Sequence, residues 1–86
     1  MQHPSTAAEF EWDEGNESEL DTHRVQPHEV EEVFWNGPEY RRNKRNASAT
    51  WAMTGRTNGD RKLIIFILWA DEHEGILRAA TGWETS

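Results

Sequence analysis

The apolar positions along this chain change period several times, and each change marks an element. Glu9-Phe10-Glu11-Trp12 alternates polar and apolar, the pattern of a short half-buried strand. Asp13 then suits a helix N-cap, since its carboxylate can accept from the free N–H groups of a first turn. The helix that follows contains Gly15, and Leu20 is its only large apolar residue. Its acids gather at the start, with His23 and Arg24 at the end, as the helix dipole favours. A second helix begins at Pro27, where the missing N–H costs nothing. Val30, Val33 and Phe34 fall at i, i+3 and i+4 and form one apolar stripe, with Glu29, Glu31 and Glu32 off it. Gly37-Pro38 ends the helix.

Beyond it, Tyr40 to Asn46 reads as a basic loop or an edge strand. Ala49 to Arg56 has strand character, with Trp51 and Met53 on one face. Thr57-Asn58-Gly59-Asp60 is a turn, and Asn58-Gly59 is the strongest hairpin signal in the chain. Arg61 to Ala70 follows as a strand whose centre, Leu63 to Trp69, is apolar on both faces, so both faces need cover. Asp71 to Gly75 forms another turn, and Ile76 to Trp83 a last strand. The predicted fold class is therefore α+β: a small antiparallel sheet in β-α-α-β-β-β order, with two helices packed on one face. Residues 1–8 carry no pattern and are expected as a flexible N-terminal tail. Residues 9–86 form a single domain.

Composition narrows the chemistry. A chain of 86 residues with 35% apolar content has a modest core, which five tryptophans and three phenylalanines enlarge. No cysteine is present, which excludes disulfides, thiolate nucleophiles and Cys-ligated metals. The longest apolar run, Leu63 to Ala70, is far below the ~20 residues of a membrane helix. The start shows no basic segment followed by an apolar stretch. A cytoplasmic protein with no membrane association is expected. The net charge of −7 is uneven. Residues 1–39 hold 11 acidic groups against Arg24 alone, whereas residues 40–86 hold 8 basic groups against 5 acidic ones. The second half can thus present a locally positive surface on an acidic molecule, or simply a solvated one. Asp71-Glu72-His73-Glu74 looks like a metal cluster only superficially, because neighbours in a turn point apart. No metal and no cofactor is expected.

Four short motifs, in order, cover about residues 9–84. They are Phe10-Glu11-Trp12-Asp13-Glu14; Asn16, Leu20, His23 and Val25 ahead of an acidic helix ending in Val33-Phe34; Gly55-Arg56-Thr57 before a turn and a long apolar strand; and the final strand around Arg78. Together they resemble the BrnT family of type II toxin–antitoxin toxins, which share the fold of the RelE ribonucleases. The chain departs from that family in having Thr22 for its lysine, Arg24 for its glycine and Thr81-Gly82-Trp83 for its Ser-Ala-Arg. It also stops at Ser86, where the family usually continues into a helix.

The resemblance implies a toxin that binds RNA or cleaves it without a metal, neutralised by a protein antitoxin. In such cleavage a ribose 2′-OH attacks the adjacent phosphate, so a site must move protons and stabilise phosphate charge. Arg56 is the first candidate for the phosphate, since a guanidinium meets it bidentately. Arg78, mid-strand among apolar residues, needs either a ligand or a carboxylate partner. His23 either transfers protons or caps helix carbonyls. Arg41, Arg42, Lys44 and Arg45 either track an RNA backbone or form a solvated loop. Trp51, Trp69 and Trp83 either stack on bases or fill the core. The alternative function is a non-catalytic interaction or homodimerisation module on the same scaffold.

Overall fold

A computed structural model of the chain describes residues 2–43 and 51–86. The elements run β1 (Glu9–Glu11), α1 (Glu14–Asp21), α2 (Pro27–Trp35), β2 (Glu39–Arg42), β3 (Trp51–Arg56), β4 (Lys62–Asp71) and β5 (Ile76–Glu84). They form an α+β fold with one five-stranded sheet in the order β1-β5-β4-β3-β2.

The sheet is mixed, which corrects the expectation of a wholly antiparallel one. β2 to β5 form an antiparallel meander, but β1 pairs parallel to β5, with Phe10 opposite Leu77. The two helices carry the chain from one sheet edge to the other, so the first and last strands become neighbours. Hydrophobic alternation is the same for either direction of pairing, so it gave no sign of this. Tyr40 to Arg42 is strand, the edge-strand alternative for that segment. The Asn58-Gly59 hairpin forms as expected, with Arg56 opposite Lys62 as its last pair. Its loop closes through Thr57 and Arg61, and Asp60 takes the left-handed position at φ 68°.

Cross-strand partners share a face, so the register sorts every strand residue. Tyr40, Met53, Ile65 and Gly82 form one row of the inner face, and Trp51, Ile67 and Ala79 the next. Leu20, Val25, Val30, Val33 and Phe34 from the helical segment join Met53, Leu63, Ile65, Ile67, Leu77 and Ala79 in a single core, so both helices cover this face. The last strand contains a bulge at Ala80: Phe66 faces Thr81 but Ile67 faces Ala79. The extra residue shifts the alternation, so Leu77 and Ala79 point inward before it and Gly82 after it.

Residues 2–8, expected as a loose tail, pack against the inner face. Pro4–Thr6 form a 3-10 turn with Pro4 buried, and the His3 ring meets Tyr40 and Trp51 edge-on at 4.9 and 5.0 Å. The Trp69 indole donates to the Gln2 carbonyl at 3.1 Å. This turn covers aromatic surface that two short helices leave open.

Polar groups fasten the layers. Asp13 and Asn16 form a reciprocal capping box on α1, and the buried Asn16 amide also donates to the Glu11 carbonyl at 3.0 Å. The chain leaves α1 through a Schellman turn, with Val25 N–H on Leu20 O and Arg24 N–H on Asp21 O. Arg24 holds the left-handed position, at φ 60°. Arg61 donates to both Glu29 carboxylate oxygens at 2.8 and 2.7 Å and to Arg24 O at 3.2 Å, and pairs with Glu84. Burial alone would raise the Glu29 pKa, but the Gln26 N–H and the Arg61 guanidinium outweigh it and hold the carboxyl below its ordinary value. Among the described residues, no helix is long and apolar enough to cross a membrane.

Candidate nucleic-acid interface

The outer sheet face follows from the same register. Glu39, Thr54, Ile64 and Trp83 form one row, Arg41, Ala52, Phe66 and Thr81 the next, and Leu68, Arg78 and Glu11 a third. Ile64, Phe66 and Leu68 are half-buried here, and Trp83 is 40% exposed. Trp83 packs on Phe66 with ring centroids 5.3 Å apart.

At one end of this face lies a cleft of about 460 Å³, lined by residues that include Asn36, Glu39, Thr54, Arg56 and Lys62. Its walls follow from local sequence. Gly37, at φ 72°, and Pro38 turn the chain out of α2 into β2. The Asn36 amide, at the helix end, donates to Arg56 O at 3.0 Å and to Asn58 Oδ1 at 2.9 Å. The Asn58 N–H donates in turn to Glu32 at 3.0 Å, so the hairpin loop is anchored to α2. A side chain at Gly55 would stand 3.0 Å from Pro38 and 3.1 Å from Val33, which is why this close approach needs glycine.

Arg56 and Lys62 stand side by side on adjacent strands. Arg56 donates to Asp60 O at 3.1 Å and lies 3.4 Å from the Asp60 carboxylate. Both side chains are largely exposed, so that pair contributes little and leaves the guanidinium available to an anion. Lys62 has no carboxylate within ion-pair distance among the described residues.

Arg78 is placed differently. It donates to Glu11 at 3.0 Å and to both Asp13 oxygens at 2.6 and 3.1 Å. This is the carboxylate reading of a mid-strand arginine, and it joins β5, β1 and the cap of α1. The hydrogen bond from Arg78 leads the causes that pull the Asp13 pKa down to about 2. The same bond raises the Arg78 pKa. Arg78 also lies some 20 Å from Arg56, counting six residues along β4 and two strand spacings. The two arginines share a face but do not form one site.

His23 sits 3.3 Å from Glu19 through Nε2, and its ring centroid is 5.7 Å from that of Trp83. Glu19 also accepts from the Thr81 hydroxyl at 2.8 Å. His23 is therefore tethered to a carboxylate at the margin of the outer face. Of the basic segment, Arg41 points outward, while Arg42 lies on the other face, 5.0 Å over the Trp51 ring. Strand alternation separates them, so they cannot follow one RNA strand together. Lys44 and Arg45 lie outside the described residues. Trp51 and Trp69 pack against the core, which leaves Trp83 as the outward tryptophan of the three. Sequence reasoning passed over Lys62, Thr54 and Asn36. Lys62 was within reach, because the Asn58-Gly59 hairpin sets it opposite Arg56.

No protein-family model matches this sequence, and no curated protein matches it.

Proposed function

We propose that this chain is a BrnT-like toxin of a type II toxin–antitoxin system that binds RNA on its outer sheet face and is neutralised by a protein antitoxin. The observation that carries the reading is the pair Arg56 and Lys62 on adjacent strands, both lining the cleft of about 460 Å³ at one end of the outer face. Arg56 offers a planar fork to a phosphate and Lys62 a compact charge. Trp83, beside Phe66, offers a ring for an unpaired base. His23, held by Glu19 beside Trp83, offers an imidazole for proton transfer. The RelE-like fold that the motifs imply is part of this proposal.

Single-stranded RNA labelled with fluorescein, titrated with the full chain in EDTA, tests it. Saturable binding that weakens with salt, and about tenfold with Arg56→Ala and Lys62→Ala combined, is expected. Absence of salt-dependent binding, or indifference to both substitutions, rejects it.

A second reading is favoured by the double engagement of Arg78, which leaves the outer face with fewer free cations than a ribonuclease would use. On that reading the scaffold is a non-catalytic interaction module. Intact RNA after prolonged incubation, with growth unchanged on overexpression, is its expected outcome.

A further inference from the structure

A different part of the molecule carries an inference independent of RNA. Phe10, Trp12, Phe34 and Trp35 form a ladder of rings between β1 and α2. Phe10 stacks on Trp12 at 5.9 Å, Phe34 meets Phe10 edge-on at 5.4 Å, and Trp35 meets Phe34 edge-on at 5.0 Å. Three of these rings pack in or against the core, but Trp35 is 69% exposed, the most of any large apolar residue described. Beside it opens a groove of about 210 Å³, lined by Ala8, Glu9, Phe10, Glu31, Phe34 and Trp35. A void of about 150 Å³ suffices for a benzene-sized guest. The groove therefore has room for one bulky side chain.

Its charge is one-sided. β1 and α2 carry Glu9, Glu11, Glu29, Glu31 and Glu32 and no lysine or arginine. The nearby cations are already engaged, Arg61 with Glu29 and Glu84, and Arg78 with Glu11 and Asp13. Glu31 accepts the Trp12 indole N–H at 2.8 Å, which fixes its carboxylate at the rim. Glu9 and Glu31 have no cationic partner among the described residues.

We propose that this groove docks a basic segment of a partner protein, which inserts one bulky apolar side chain beside Trp35 while its lysines or arginines face Glu9 and Glu31. An apolar floor with a charged rim is the anatomy of a protein contact, and an exposed tryptophan is the residue type that most often dominates one. The edge contact with Phe34 holds the Trp35 ring in place, so less side-chain freedom is lost on binding. None of the groove residues lines the Arg56 cleft, so the two sites stand or fall separately.

The test uses the full chain and fluorescein-labelled short peptides with leucine or phenylalanine between lysines. Control peptides replace the central residue by alanine, or the lysines by glutamates. Saturable polarisation changes are expected for the lysine-flanked apolar peptides only, weakened about tenfold by Trp35→Ala and by Glu9→Lys. Both residues are exposed, and thermal melts verify that each variant folds. No saturable binding overturns the proposal. So does binding that ignores Trp35→Ala or the central residue, since charge alone would then explain it. Concentration-dependent self-association abolished by Trp35→Ala would show that a second copy occupies the groove, and would overturn it too.

Discussion

Arg78 grips Asp13 with both arms of its guanidinium, one nitrogen on each carboxylate oxygen at 2.6 and 3.1 Å. Asp13 is also the N-cap of α1, so this contact ties the last strand to the start of the first helix. The Asp13 pKa is depressed to about 2, so the carboxylate binds its proton less readily folded than unfolded. Its contribution to stability is complete above the unfolded pKa near 4 and disappears as pH falls through about 2. Chemical melts between pH 5 and 2 should show a loss of stability that is smaller in Arg78→Ala. That variant should also melt below the parent at neutral pH. An identical acid profile in both chains would show that Arg78 does not set the Asp13 pKa.

Tyr40 reports on the opposite end of the pH scale. Burial pushes its phenol up to about 12, because the ionised form cannot be hydrated there. The folded state keeps the proton longer than the unfolded one. Stability is therefore unaffected below pH 10 and falls as pH rises from about 10 to 12. Tyr40 is the chain's one tyrosine, so tyrosinate absorbance reads it without interference. A midpoint near 10 in the folded protein would mean that the ring is accessible to water.

Arg24 occupies a backbone conformation that costs an L-residue roughly 1–2 kcal/mol and glycine almost nothing. Arg24→Gly should stabilise the fold by about 1 kcal/mol, since glycine is the preferred residue after a helix in this motif. The Leu20 and Val25 contact that accompanies the turn is fully buried and would be unchanged. Urea unfolding of the two chains measures the difference. A loss of stability would mean that the Arg24 side chain contributes more than the backbone strain costs.

Gly82 is required for a different reason. A Cβ there would stand 2.6 Å from Ile65 Cδ1 and 2.9 Å from the Ile64 carbonyl oxygen. Gly82→Ala should cost about 1–3 kcal/mol through overpacking. Adding Ile65→Val removes the nearer obstacle, so the double variant should recover part of the loss relative to Ile65→Val alone. Equal penalties in both backgrounds would place the clash on the backbone.

The sequence made the core elements legible because their periods are clean. Val30, Val33 and Phe34 do face the sheet, and the run from Leu63 to Leu68 does sit in the middle of it. The direction of β1 was not legible, since alternation in Glu9-Phe10-Glu11 is compatible with either neighbour. The N-terminal turn escaped notice because its anchors, His3 and Pro4, belong to no periodic pattern. At the candidate site, the Gly-Arg-Thr motif led to Arg56, and the hairpin register supplied Lys62. The partners of Arg78 lie 65 and 67 residues earlier in the chain, where only tertiary structure brings carboxylates to it.

The bulge at Ala80 governs what the end of the molecule shows to its surroundings. Because one extra residue is accommodated there, a bulky indole is displayed and a bare backbone is tucked in. Were Ala80 instead paired as a regular member of the ladder, Thr81 would turn inward where Gly82 now lies, into space that cannot hold even a methyl group, and the indole would leave the outer face. Loss of the bulge with Ala80 retained should therefore be far more damaging than a substitution that keeps it.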